Sequence, residues 1–228
     1  MPHMLAQVGT ERSVLTPALV PMHPLATRNA PYRLNPDESE TAMKVDVVLD
    51  IACAWSALGY TRFQKAAARF RSTGGTLRVD FHPFQHVHGL GPSTALRMER
   101  MSRLAAQDGL TLNFDTRVPA DTFEAHRLIS LAAAHDRAEA MAARLFRAHF
   151  TEGRDVGDHA VLKALAREVG VPWNRHAHAG ETRDDLDFAR RFGVAVPVFH
   201  FADGTTYTGA HPVDDLLEAL HNALRVTV

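Results

Sequence analysis

The sequence predicts an α/β protein in which a β-α-β unit and a β-β-α unit share one sheet, with an inserted run of helices between them. Three observations carry this expectation. Val45-Asp-Val-Val-Leu49 is an apolar, β-rich run of the buried-strand type and passes directly into a helical repeat. The middle of the chain carries its apolar residues at helical spacing. Near the C-terminus, Val196-Pro-Val-Phe-His-Phe201 is followed by Asp203-Gly204 and Thr205-Thr-Tyr207, the pattern of a hairpin.

Each element follows from its local pattern. After the first strand, Trp55, Gly59, Phe63, Ala66 and Phe70 recur at helical spacing within residues 52–70, and Gly74-Gly75 closes that helix. Leu77, Val79 and Phe81 then alternate with Arg78, Asp80 and His82, the period of a half-buried strand. A β-α-β unit implies parallel strands joined by a right-handed crossover. Asp121-Thr-Phe-Glu124 reads as a capping box opening one long helix, with Leu128, Leu131, Ala138, Ala142, Leu145 and Phe146 on one face through about Phe150. A second helix spans Asp158 to Val169 and stops at Gly170 and Pro172. A third runs from about Glu181 to Phe192 and stops at Gly193. Pro212 opens a last helix that turns Val213, Leu216, Leu217, Leu220 and Leu224 inward.

These elements divide the chain into a two-part core, residues 43–89 and 193–228, and an inserted helical domain, residues 90–192. Residues 1–42 hold six of the twelve prolines and show no helical or strand period, which predicts a disordered or loosely packed extension. Met43, directly before the first strand, has the position of a native start.

Composition narrows the function classes. At 228 residues and 46% hydrophobic, the chain can build its core without disulfides or metal. A formal net charge of −1 and no basic run leave no footprint for nucleic acid. No stretch approaches the roughly 18 to 20 apolar residues of a membrane span. Prolines at 17, 21 and 24 break up what apolar sequence the N-terminus has, so no signal peptide is expected and the predicted location is cytoplasmic. A single cysteine excludes an intrachain disulfide and a thiolate-rich zinc site, leaving an inert buried thiol or a lone nucleophile.

That cysteine, Cys53, stands where a strand hands over to a helix N-terminus. Free amide N–H groups and the helix dipole favour an anion there and can bring a thiol from about 8.5 to roughly 3.5–7.5. The expectation is a partly exposed thiol, shifted toward acid and opposed only by its apolar neighbours Ile51 and Trp55. The competing reading is a buried, unreactive thiol, since free cysteine is among the most buried residue types. His82, His86 and His88 form a cluster without a carboxylate among them, so no metal is predicted. Their loop falls at the C-terminal ends of the parallel strands, where ligands approach open sheets, which makes His82 and His86 candidates for substrate contact. Trp55 can stack on a planar substrate or cap the core, and His135 and His149 fall on an apolar stripe as core or interface residues.

The segment Asp50-Ile-Ala-Cys-Ala-Trp-Ser56, with Leu58-Gly59 and Arg62-Phe63, resembles the active-site segment of DsbA-like proteins. It is most similar to the FrnE-like branch named from polyketide biosynthesis, where the segment reads close to D-x-x-C-P-W-C-x-x-G-x-x-x-F. Pro83-Phe84, Ala125-His126-Arg127-Leu128, Leu145-Phe146, residues 150–155, Gly193-Val-Ala-Val-Pro197 and Gly209-Ala210 extend the match from about Lys44 to Leu224. The resemblance implies a thioredoxin-like fold with an inserted helical domain. It also implies a cis bond at Val196-Pro197 that presents a backbone edge to the ligand opposite Cys53, and a functional place for His126. Two departures limit the implied chemistry: Ser56 stands at the second-cysteine position and Ala54 replaces the usual proline, so no dithiol cycle can run within one chain.

Three functions follow from the resemblance. The first is a thiol-dependent oxidoreductase in which Cys53 exchanges with a small-molecule thiol or disulfide substrate, with glutathione or mycothiol as co-substrate and no tightly bound cofactor. The second is a transferase or isomerase similar to kappa-class glutathione transferases and chromene-carboxylate isomerases, with Ser56 activating a bound thiol. The third is a catalytically degenerate binding protein or chaperone in a polyketide-type biosynthetic pathway, without turnover. A homodimer is compatible with all three.

Overall fold

The computed structural model describes residues 42–86, 95–191 and 195–227. The expected extension up to residue 41, His88, and the Gly193 helix stop lie outside the described residues. Four strands form one sheet in the order β2-β1-β3-β4, with β1 at Met43–Leu49, β2 at Leu77–Pro83, β3 at Val198–Phe201 and β4 at Thr206–Thr208. β1 is central, and its apolar run is buried because layers cover both faces. It pairs in parallel with β2, Val45 opposite Val79, as the β-α-β pattern requires. Against β3 it is antiparallel, with Val45 opposite Phe201. Gly204, at φ +88°, makes the tight turn of the β3–β4 hairpin.

Helix α1, Ala54–Ser72, buries Leu58, Phe63, Ala66, Ala67 and Phe70. Its Phe63 ring stacks on Phe199 of β3 at 5.1 Å, and Tyr60 meets Phe81 of β2 edge-on at 5.5 Å. Full burial of such side chains contributes about 1.5–3 kcal/mol each. The last helix, α7 at Val213–Thr227, packs along α1. Together they fix the helix whose first turn carries Cys53.

The helical block comprises α2 at Ala95–Gln107, α3 at Phe123–Ala133, α4 at Ala138–Phe146, α5 at His159–Val169 and α6 at Ala179–Arg191. Three expectations need correction here. No helix was expected over the residues of α2, and of its thirteen residues only Met101 and Ala105 are buried. The single long helix is two helices: Asp136 enters the left-handed region at φ +54°, and the Ala132 carbonyl accepts the N–H groups of His135 and Arg137. The apolar stripe continues across this break because α3 and α4 pack together, so spacing alone did not reveal it. The Asp121–Glu124 capping box does not form either. Asp121 Oδ1 accepts the Phe123 N–H at 2.9 Å, while the Thr122 hydroxyl donates to Asp50 and Glu124 pairs with Arg127.

After α4 the chain widens into a π-helical turn, Arg147–Thr151. The expected α5 forms with its caps: Asp158 accepts from the N–H groups of Ala160 and Val161 at 2.8 and 2.9 Å, and Gly170 closes the helix at φ +80°. Among the described residues no helix is long and apolar enough to cross a membrane.

Candidate active site

Cys53 is the N-cap residue of α1, with an extended backbone at φ −94° and ψ 116°. The Asp50 carbonyl accepts its N–H at 3.0 Å, and its own carbonyl accepts the Ala57 N–H at 3.0 Å. A short turn thus delivers the end of β1 into the first turn of the helix. The thiol lies among Val48, Phe84, Ala189, Val196 and Val198, drawn from β1, the segment after β2, α6 and the entry to β3. Its sulfur is 4.0 Å from the Val196 carbonyl oxygen, toward which the S–H donates. The following peptide bond, Val196–Pro197, is cis.

The expected exposure and acid shift of Cys53 are both overturned. Cys53 is 2% exposed. Burial pushes the thiol up, and hydrogen bonds from Ser56 and from the Trp55 N–H oppose this only in part, while the negative charge of Asp50 adds to the rise. The helix terminus does supply donors to the sulfur. Loss of water at a fully enclosed thiol outweighs them.

Ser56 is fully buried, and its hydroxyl accepts the Asp50 N–H at 3.3 Å while also reaching Cys53. It faces the thiol and its turn rather than solvent. Trp55 is 48% exposed and stands beside the buried sulfur as an apolar surface group. It does not cap the core.

Asp50, in the sequence one position of the family segment, is a buried hub of the site. It is 2% exposed and gathers four donors. The Ala52 N–H at 3.0 Å and the Thr122 hydroxyl at 3.3 Å bind Oδ1, while the His86 ring Nδ1 at 2.8 Å and the His86 N–H at 3.3 Å bind Oδ2. Burial opposes its ionisation, but the His86 bond, the charge of His126 and the two backbone donors hold the carboxyl below its ordinary value. It ties together the cysteine turn, the loop after β2 and the entry to α3.

The other candidates separate. His86 joins the site through Asp50. His126 is buried on α3 and donates from Nε2 to the Phe84 carbonyl at 3.0 Å, fixing the residue that packs on Cys53. Burial lowers its basicity, partly offset by Asp50. His82 turns instead to Asp46 on β1, at 2.8 Å, within a group that includes Lys44. His149, expected in a core or interface, is 1% exposed in the π-helical turn with neither ring nitrogen hydrogen-bonded. Burial lowers its pKa to about 4, with Arg117 acting in the same direction and Asp50 and Asp155 against it.

Among the described residues, no group of three or more His, Cys, Asp or Glu side chains is arranged to hold a metal ion. Two open depressions of about 530 and 560 Å³ lie elsewhere, lined in part by Arg167 and Trp173 and by Arg144 and Glu168. Neither includes a residue of the thiol site, so the chemistry of Cys53 and not surface concavity locates the candidate.

The sequence matches the model of the DSBA-like thioredoxin domain over residues 44–221. Among solved structures, it is similar to a probable DsbA oxidoreductase from Streptomyces coelicolor, at 29% identity and a TM-score of 0.67, covering 79% of this chain and 89% of that one. It shares its fold with the cytosolic disulfide reductase DsbM from Pseudomonas aeruginosa, at 23% identity, TM-score 0.61, and 80% and 99% coverage. It also shares it with a 2-hydroxychromene-2-carboxylate isomerase, at 20% identity, TM-score 0.57, and 81% and 96% coverage. No curated protein sequence matches it. The sheet, the inserted helices and the thiol at the start of α1 agree with the sequence match across most of the chain, which belongs to the DSBA-like thioredoxin domain family.

Proposed function

We propose that this protein is a thiol–disulfide oxidoreductase that works through Cys53 alone and a low-molecular-weight thiol, in a cytoplasmic setting. The observation that carries the reading is the placement of the only cysteine, at the N-cap of α1 and 4.0 Å from the carbonyl that precedes Pro197. The Cys53 thiolate attacks one sulfur of a disulfide R–S–S–R′, the S–S bond breaks, and R′S⁻ leaves and takes a proton from solvent. An external thiolate R″S⁻ then attacks the R sulfur of the mixed disulfide and releases Cys53, which regains its proton. The net change is R–S–S–R′ and R″SH giving R–S–S–R″ and R′SH. With Ser56 in place of a second thiol, resolution depends on the external thiol, and glutathione or mycothiol has the required chemistry. Support for glutathione comes from a fold relative, DsbM, whose structure has been solved with it.

The raised thiol pKa sets the pH behaviour. Only the thiolate attacks, so reaction with oxidised glutathione is slow at pH 7 and keeps accelerating as pH rises beyond the ordinary thiol range near 8.5. Intact-mass measurement should show one glutathione adduct, absent in Cys53→Ser and removed by excess reduced thiol. Failure of the wild-type protein to form the adduct across this pH range overturns the proposal. Saturable glutathione binding that persists in Cys53→Ala would instead favour the transferase or isomerase class, and neither result would leave a binding protein.

A further inference from the structure

Helix α1 touches the Val196–Pro197 segment at Gly59. A Cβ at this position would come within 2.6 Å of Pro197 Cγ and 3.4 Å of both Ala210 Cα and the Gly209 carbonyl oxygen. The segment it would push against is anchored. The Pro197 carbonyl accepts the Gly209 N–H at 2.7 Å, and Arg62 of α1 donates to the Ala210 carbonyl at 2.7 Å. Pro197 Cγ belongs to a ring closed on the backbone, so it cannot swing aside as a flexible side-chain tip would. One residue earlier, the Val196 carbonyl faces the Cys53 sulfur at 4.0 Å.

Glycine in a helix interior is otherwise unfavourable relative to alanine, because it loses more backbone freedom on folding. Its presence here accords with the close approach of the segment. We infer that Gly59 is a positioning residue of the thiol site: the missing side chain lets Pro197 seat on α1 and thereby sets the separation of the Val196 carbonyl from Cys53. The inference rests on the reading of Cys53 as the reactive group, but its test does not depend on turnover.

Cys53 is the only cysteine, so alkylation of the whole chain reports this thiol alone. If helix propensity were all that mattered, Gly59→Ala would raise the melting temperature and leave the pH profile of alkylation unchanged. The expected result is the reverse. Gly59→Ala lowers the melting temperature, and displacement of Val196 exposes the thiol. Alkylation at pH 8 then quickens on the order of threefold to tenfold, with its midpoint moving to lower pH. Pro197→Ala removes the Cγ that a side chain at 59 would meet, so in that background Gly59→Ala loses most of both effects, a coupling that a double-mutant cycle measures.

A higher melting temperature with an unchanged profile overturns the inference, as does strict additivity of the two substitutions. Should Gly59→Ala fail to fold, the double variant must recover folded protein; if it does not, Pro197 is not the group on which position 59 acts. An intact coupling in a protein that forms no glutathione adduct would overturn the proposed exchange reaction while leaving the role of Gly59 standing.

Discussion

At the scale of single residues, the thiol and the carboxylate beside it respond oppositely to burial. Cys53 has donors only at the helix terminus, too few to compensate the loss of water, and so is held as the protonated thiol. Asp50 is equally buried but receives four hydrogen bonds and remains ionised. Asp50→Asn places an amide N–H₂ where donors already point, and hydrogen bonds to a charged group contribute about 1.5–3 kcal/mol each. The expected outcome is a loss of about 2–3 kcal/mol at pH 7 by urea unfolding, together with faster Cys53 alkylation because a negative charge near the sulfur is gone. The pH dependence has a definite sign. A carboxyl with a lowered folded pKa stabilises the protein above its unfolded value, about 3.9, and that contribution disappears as pH falls through the folded value. Wild type and Asp50→Asn should therefore differ fully at neutral pH and converge in acid.

Elements show where local signals suffice and where they fail. α5 is delimited by chemistry within a few residues: Asp158 satisfies two first-turn N–H groups and Gly170 takes the left-handed conformation at its end. Asp158→Ala should cost about 1 kcal/mol, within the range of 0.5–2 for lost N-caps, without altering the alkylation rate of Cys53. Thermal unfolding and thiol labelling check the two halves of that statement. The π-helical turn depends instead on remote partners. The Phe150 carbonyl accepts the Asn113 N–H at 2.7 Å, and Gly153, at φ +64°, lies so close to Thr116 that a Cβ would be 2.7 Å from its carbonyl oxygen. The apolar stripe of residues 128–146 is compatible with one helix or two, and the separation into α3 and α4 becomes visible only in the carbonyl that caps the first.

For the molecule as a whole, the buried histidines decide how acid is tolerated. His149 has a folded pKa of about 4 against an ordinary value near 6.5, so the folded state refuses a proton that the unfolded chain accepts. Its penalty is absent above about pH 6.5 and grows as pH falls toward 4, reaching about 3 kcal/mol at 1.4 kcal/mol per unit. Burial lowers His126 as well and acts in the same direction. Stability should therefore decline before the carboxylates of Asp46 and Asp50 titrate. Because neither His149 nitrogen has a partner, His149→Leu should be nearly neutral at pH 7 and more stable than wild type at pH 5. Urea unfolding at the two pH values tests this, and an unchanged difference between them would contradict the assignment. The sequence by itself determined the order of the strands and of the helices that flank them in the sheet core, the α5 caps, the lone cysteine at a strand–helix junction and the family segment around it, because each depends on neighbours along the chain. Only the tertiary structure decided that Cys53 is enclosed, that Asp50 joins three segments, and that Gly59 seats Pro197. Those properties arise from groups brought together across distances as great as the 143 residues between Cys53 and Val196, and burial is the sum of such contacts.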